Sequence, residues 1–324
     1  MKSEEIRVKL QELQELAASS EDVELHADIG RLRAKLGTEV GDAWQRVEIA
    51  RHPDRPNALQ YIQGMSERYI ELHGDRAFGD DPALIGGIAT IDGTHFTFLG
   101  HQKGHNMKEN LKRNYGMAHP EGYRKALRLA RQAEQFGRPI VTLIDTPGAF
   151  PGLASEERGI SEAIASNLRD FSVLRTPIIC IVIGEGGSGG ALGIGIGDRV
   201  FMLENTVYSV ISPEGFASII LRDAKRAREA AGLMRMTAAD LQSFGIADEI
   251  LPEPAGGAHA APDVAIATVR HALLRTYKQL RGKRPEQLIR ERGARLLAVG
   301  NQTFAQGADT KRRGIKRLFG RSGS

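Results

Sequence analysis

Six glycines fall within Val182-Ile-Gly-Glu-Gly-Gly-Ser-Gly-Gly-Ala-Leu-Gly193, directly after an apolar run. Few side chains there offer chemistry, so the main chain is the expected working surface. Glycine has no Cβ and tolerates positive φ, which lets amide N–H groups come close to a ligand. A second stretch, Asp145-Thr-Pro-Gly-Ala-Phe-Pro-Gly152, has the same character. Each is expected to leave a strand and enter a helix, where first-turn amides point outward and the macrodipole adds positive potential. Two such turns facing one carbonyl oxygen would make an oxyanion hole, in which each donor is worth ~10²–10³ in rate. The chemistry that suits this is stabilisation of an enolate or acyl anion.

Other signatures fail on context. Gly184-Glu-Gly186-Gly-Ser-Gly189 matches the dinucleotide pattern G-x-G-x-x-G, with Glu204 downstream. Only about eight residues separate Gly189 from the next strand near Asp198, and a crossover helix with its connections needs ~10–12. Asp145-Thr-Pro-Gly148 looks like a GTPase D-x-x-G switch, but no G-x-x-x-x-G-K-[ST] loop accompanies it. Gly186-Gly-Ser188-Gly-Gly190 fits the nucleophile elbow G-x-S-x-G, with Asp198, Asp223, Asp240, Asp248, His259 and His271 downstream. Hydrolysis through Ser188 therefore stands as an alternative, against the plainer reading of a small residue in a tight turn. His101 and His105 are four apart, yet Gly100 and Gly104 oppose a helix and no third ligand is near, so no metal is expected. Lys103, Lys108, Lys112 and Arg113 offer charge to a phosphate, or form an ordinary solvated face.

The elements that must hold the glycine turns read as α/β. Strands are expected at 84–91, 95–99, 140–145, 178–183 and 200–203, and their fully apolar runs argue for a sheet buried by helices. Helical periodicity covers 121–136, 156–174 with Ser155 as N-cap, and 264–279. Residues 4–44 also carry helical spacing, so the chain divides into an N-terminal helical segment (1–50), a main domain (51–280) and a basic C-terminal tail (281–324). From Arg275 onward fourteen Lys or Arg face three acids, a charge of +11; the rest then carries −7 for a total of +4. Such a tail suits an acidic partner, CoA phosphates or, less readily, nucleic acid, while Gly307, Gly314, Gly320 and the closing Ser-Gly-Ser favour a solvated extension.

With 41% hydrophobic and 26% charged residues the composition is that of a globular protein. No apolar run reaches the ~18–20 residues a membrane helix needs, and a cytoplasmic location is expected. A lone cysteine, Cys180, excludes an internal disulfide and a multi-cysteine zinc site; within Pro177-Ile-Ile-Cys-Ile-Val-Ile it reads as a buried, inert thiol.

Several segments resemble one family. Gly100-His-Gln-Lys-Gly104, Arg113-Asn-Tyr-Gly-Met117, Pro120-Glu-Gly-Tyr-Arg-Lys-Ala-Leu-Arg128, Ile144-Asp-Thr-Pro-Gly-Ala-Phe-Pro-Gly152, Glu156-Glu-Arg-Gly159, Gly184-Glu-Gly-Gly-Ser-Gly-Gly-Ala191, Tyr208-Ser-Val-Ile-Ser-Pro-Glu-Gly215 and Pro252-Glu-Pro stand in order. They resemble the α subunits of bacterial acetyl-CoA carboxylase carboxyltransferases. That resemblance implies a crotonase-like fold of repeated β-β-α units. It implies transfer of a carboxyl group from carboxybiotin, carried on a separate biotin carboxyl carrier protein, to acetyl-CoA, giving malonyl-CoA for fatty acid synthesis. The implied site forms with a homologous β subunit in an α₂β₂ assembly, inactive without it. Backbone amides of Gly189 and Gly190 would meet the biotin ureido oxygen, with Gly148 and Ala149 secondary and Gly186, Gly187, Lys103 and Arg113 as substrate contacts. The zinc ribbon is expected on the β subunit, and biotin carboxylase on another chain. A self-sufficient crotonase-like hydratase is the remaining alternative.

Overall fold

The computed structural model describes residues 43–299. Helices α1 (Ala43–Ala50) and α2 (Ala58–Met65) lead into strands β1 (Arg68–Glu71), β2 (Leu84–Ile91) and β3 (Thr94–His101). Then come α3 (Met107–Lys112), α4 (Pro120–Gln135), β4 (Ile140–Thr146), α5 (Leu153–Glu157), α6 (Ile160–Val173), β5 (Ile178–Gly187) and α7 (Ser188–Leu192). Strands β6 (Arg199–Leu203) and β7 (Val207–Ser209) precede α8 (Pro213–Phe216), α9 (Ala227–Met234), α10 (Ala238–Ser243), β8 (Glu249–Leu251) and α11 (Pro262–Leu280). A last helix, α12, is described over 285–299.

The sheet runs β1-β2-β3-β4-β5-β6-β8, antiparallel between the first three strands and parallel from β3 onward. Period-two alternation sends side chains to two cores. In β5, Ile178, Cys180 and Val182 pack with Tyr123 and Leu127 of α4 and Ile160 and Phe171 of α6. Ile179, Ile181 and Ile183 face the other way, onto Tyr61 and Ile62 of α2 and Val269 and Leu273 of α11. Both faces are covered, which is why these strands are uniformly apolar. Cys180 is buried in the first core, and burial pushes its thiol up to about 12.

Three expectations need correction. The helix expected over 156–174 is two helices, because Gly159 takes a left-handed φ of 78° between α5 and α6. Ser155 is therefore no N-cap; it lies buried inside α5 with its hydroxyl 2.7 Å from His119 Nδ1. The basic tail does not start at 281. Arg292 of α12 is buried, pairs both carboxylate oxygens of Asp198 (3.0 and 2.8 Å), and donates to the carbonyls of Phe171, Leu174 and Thr176, which ties α12 to the body. Of the helical segment expected over 4–44, all but Ala43 and Trp44 lies outside the described residues, as does the arginine-rich end from 311 to 317.

Candidate active site

Parallel neighbours β4 and β5 end side by side, with Thr146 opposite Gly186. Their C-terminal ends carry the two glycine turns. The strand expected to stop at Ile183 continues to Gly187, so Gly184–Gly187 are sheet residues and only Ser188 begins the short helix α7. The turns touch. A Cβ on Gly190 would stand 2.4 Å from the nitrogen of Ala149 and from the carbonyl carbon of Gly148, and one on Gly187 would stand 2.0 Å from the Pro147 oxygen. Glycine at these positions lets backbone pack on backbone. Gly186 serves packing too, against the Tyr208 ring at 2.2 Å from its would-be Cβ. Gly189 differs: its Cβ would meet only Ile164, at 3.8 Å.

No side chain caps α7, and first-turn amides have no acceptor within the helix. The other turn departs from expectation, since its helix starts only at Leu153 and Gly148 and Ala149 lie in the connecting loop. Gly148 N–H donates to Thr146 Oγ1 (3.1 Å) and Phe150 N–H to the Ala118 carbonyl (3.0 Å). Among the described residues no acceptor faces the Ala149 N–H between them. The open donors are thus Ala149 and the start of α7, brought together where an anionic oxygen would gain two hydrogen bonds.

Beneath the turns runs a chain of alternating charges. Lys103 Nζ lies 2.8 Å from Asp145 Oδ1 and 2.9 Å from Glu185 Oε1. Arg51 joins Glu185 (2.9 Å) to Glu214 (2.7 Å). Asp145 closes the end of β4 and also accepts the Glu185 N–H at 3.0 Å, so Lys103 ties both turn-bearing strands together. Gly184 leaves room for that carboxylate: its Cβ would fall 2.2 Å from Asp145 Oδ1. Burial opposes the charge on Lys103 and on Glu185, and their partners outweigh it. Lys103 is held above its ordinary value despite burial, by Asp145 and Glu185. Glu185 is held down to about 2 despite burial, by Lys103 and Arg51. Nearby, Arg55 grips Glu253 with both nitrogens (3.0 and 2.5 Å) and donates to the Ile183 carbonyl.

The sequence leaves Lys103 open between a phosphate contact and a solvated face; in the structure its ammonium is engaged by two carboxylates. Arg113 donates to the Pro82 carbonyl (2.9 Å), while Lys108 and Lys112 are exposed on α3. The group Arg51–Lys103–Asp145–Glu185–Glu214 was missed. Its signal was a carboxylate closing each of two apolar strands, since buried charge demands a partner. His101 and His105 do not share a site: His101 is fully buried beside Tyr123, whereas His105 is exposed and contacts Asn57 and Gln60. Ser188 has the left-handed φ of 52° that an elbow serine would show, but among the described residues no hydrogen bond joins it to a histidine. The candidate aspartates are committed elsewhere, Asp198 to Arg292 and Asp248 to Arg295, and His259 stacks on His52 at 3.6 Å.

Comparison with known proteins gives the fold and the family. Among solved structures the chain superposes on transcarboxylase 12S (TM-score 0.58, 20% identity, 70% of this chain and 42% of that one). It superposes equally on a chain of a Pseudomonas malonate decarboxylase hetero-tetramer in complex with coenzyme A (TM-score 0.58, 20% identity, 78% and 97%). These likenesses show the fold, a crotonase-like α/β arrangement around a mixed sheet. The family model described as acetyl co-enzyme A carboxylase carboxyltransferase-like matches residues 1–300. Acetyl-coenzyme A carboxylase carboxyl transferase subunit alpha of Treponema denticola is 52% identical over 87% of this chain and 93% of its own length; that of Geobacillus kaustophilus is 51% identical over 93% and 94%. The chain belongs to the acetyl-CoA carboxylase carboxyltransferase α-subunit family.

Proposed function

We propose that this chain supplies the carboxybiotin-facing half of an acetyl-CoA carboxyltransferase, the transfer that yields malonyl-CoA for fatty acid synthesis. The observation that carries it is the contact of the two glycine turns, which sets the free Ala149 N–H beside the uncapped start of α7 at Gly189 and Gly190. Carboxybiotin, as substrate on its carrier protein, brings a ureido carbonyl whose oxygen gains negative charge as the carboxyl group leaves. The donors of this chain hold that oxygen: the Gly189 and Gly190 amides from one side, Ala149 from the other. They are fixed before the charge develops, which is what makes such donors effective. Gly148 shapes the loop, its own N–H being spent on Thr146. Lys103 and Glu185 hold the two strand ends in register from below.

A β subunit is the proposed partner in an α₂β₂ assembly. Leu153 (75% exposed) and Leu192 (40%) adjoin the turns in sequence, and Val210, Ile219 and Ile220 are likewise exposed. Exposed large apolar side chains of this kind favour coverage by another subunit. The test is to co-express this chain with a carboxyltransferase β subunit and follow malonyl-CoA decarboxylation with free biotin. Activity in the pair and in neither chain alone is expected. Activity of this chain alone, or a folded pair without turnover, overturns the reading.

A further inference from the structure

Two segments that the glycine turns leave unexplained, Pro120–Arg128 and Glu156–Gly159, meet in a second place. A cavity of about 770 Å³ lies between α4 and α6, and its lining shares no residue with either turn. Five arginines line it, Arg76, Arg124, Arg128, Arg131 and Arg158, against the two acids Asp75 and Glu162. Three of the five are neutralised by carboxylates: Arg124 by Asp75 (2.8 Å), Arg158 by Glu121 (3.0 Å) and Arg131 by Asp170. The other two are not. Arg76 Nη1 donates to the His73 carbonyl (3.0 Å), and Arg128 donates to that same oxygen (3.1 Å) and to the Gly74 carbonyl (3.0 Å). One carbonyl oxygen thus gathers two guanidinium groups, and among the described residues neither makes an ion pair.

The loop that presents Arg76 is fixed rather than loose. Asp75 Oδ1 accepts the amides of Ala77, Phe78 and Gly79, and Arg76 itself takes a φ of 65°. Burial, then repulsion from Arg76, pushes the Arg128 pKa below its ordinary value, with Asp80 and Asp75 opposing the shift. A multiply charged anion would relieve that repulsion. The planar guanidinium fork matches phosphate oxygens two at a time. The volume falls in the ~300–1,000 Å³ range of small-molecule sites. We propose that the α4–α6 cleft binds a phosphate-bearing small molecule, with Arg76 and Arg128 as its anion clamp. Asn167, on the cleft wall, donates to the Tyr123 carbonyl on α4 and to the Gly193 carbonyl at the end of α7, so the site adjoins the helix that carries Gly189 and Gly190.

The phosphate belongs either to the acyl-CoA substrate or to a separate effector, and the experiment separates these. Inorganic pyrophosphate is titrated calorimetrically into the intact complex with its β subunit at low salt. Saturable binding is expected, weakened at least ~10-fold in Arg76→Gln/Arg128→Gln and tightened ~2–5-fold in Glu162→Gln, whose carboxylate accepts a hydrogen bond from Ser166. If coenzyme A displaces pyrophosphate, and the double variant raises KM for malonyl-CoA at unchanged kcat, the ligand is the acyl-CoA. If coenzyme A does not compete and KM is unchanged, it is a separate phosphorylated effector. Absence of saturable binding, or wild-type affinity in a double variant that melts normally, overturns the proposal. Should the double variant fail to fold, unchanged affinity in Glu162→Gln overturns it. The binding readout stands apart from the proposed carboxyl transfer, so failure of one is not failure of the other.

Discussion

Replacing Lys103 with methionine separates a clamp from a substrate contact. The lysine is 19% exposed and its partners Asp145 and Glu185 are 7% and 11% exposed, so removing the ammonium leaves two carboxylates facing each other with little water. Both oxygens lie within 2.9 Å of one nitrogen, so they are at most about 6 Å apart. At an effective dielectric near 20, two such charges repel by about 3 kcal/mol. That agrees with the ~3–5 kcal/mol typical for removing one partner of a buried pair. At roughly 2–4 °C per kcal/mol, the melting temperature should fall by roughly 6–12 °C. Turnover of the complex should fall as well, because β4 and β5 lose the tie that aligns Ala149 with α7. Adding Glu185→Gln to Lys103→Met should recover a large part of the lost stability, since one of the two repelling charges disappears. Two results refute the reasoning. One is melting within about 2 °C of wild type together with a raised KM for acyl-CoA, which would make Lys103 a phosphate ligand after all. The other is a double variant no more stable than the single one.

Gly190→Ala forces a Cβ to within 2.4 Å of the Gly148–Ala149 backbone and should cost ~10²-fold in kcat as the donors part, with complex formation retained. Gly189→Ala, with only Ile164 at 3.8 Å, should fold with an unaltered melting temperature; unfolding of this variant would mean that the turn is not open there. Arg292→Met should destabilise the chain by ~3–5 kcal/mol, because Asp198 is left buried without its partner; unaltered melting would show α12 to be dispensable. Acid should destabilise the fold in a defined window. Burial, then Lys103, holds His101 down to about 3, so its contribution is complete above its ordinary value near 6.5 and is lost as pH falls toward 3. Glu185, held at about 2, contributes above about 4.5 and is lost as pH falls toward 2. Both lose stability together between about 4.5 and 3, and a melting temperature unchanged from pH 7 to pH 3.5 would contradict both assignments.

Strand positions were legible because a sheet covered on both faces needs continuous apolar residues, as at 178–183 and 200–203. Their ends were less legible. β5 keeps its extended conformation through Gly187 because β7 pairs with Glu185, Gly186 and Gly187, a contact made twenty residues or more along the chain. A glycine run alone does not reveal which member is in the sheet and which turns. Likewise the break at Gly159 depends on a left-handed residue inside a pattern that is periodic on both sides of it. Glycine permits that conformation without announcing it.

The site divides along the same line. The two turns could be found because their composition is local, but the reason for each glycine could not. Gly187 and Gly190 admit the neighbouring turn, Gly186 and Gly193 a tyrosine ring each, Gly184 a carboxylate, and Gly189 and Gly148 open to space. The six glycines of 182–193, read as one backbone surface, are five packing requirements and one opening. The charges beneath it were invisible for a related reason. Arg51, Lys103, Asp145, Glu185 and Glu214 come from five segments, and only pairing of β3 with β4 and of β4 with β5 brings the middle three together. Local composition identifies where backbone does chemistry. The buried charges that hold such backbone in place follow from strand order, so they become readable only once the sheet is assembled.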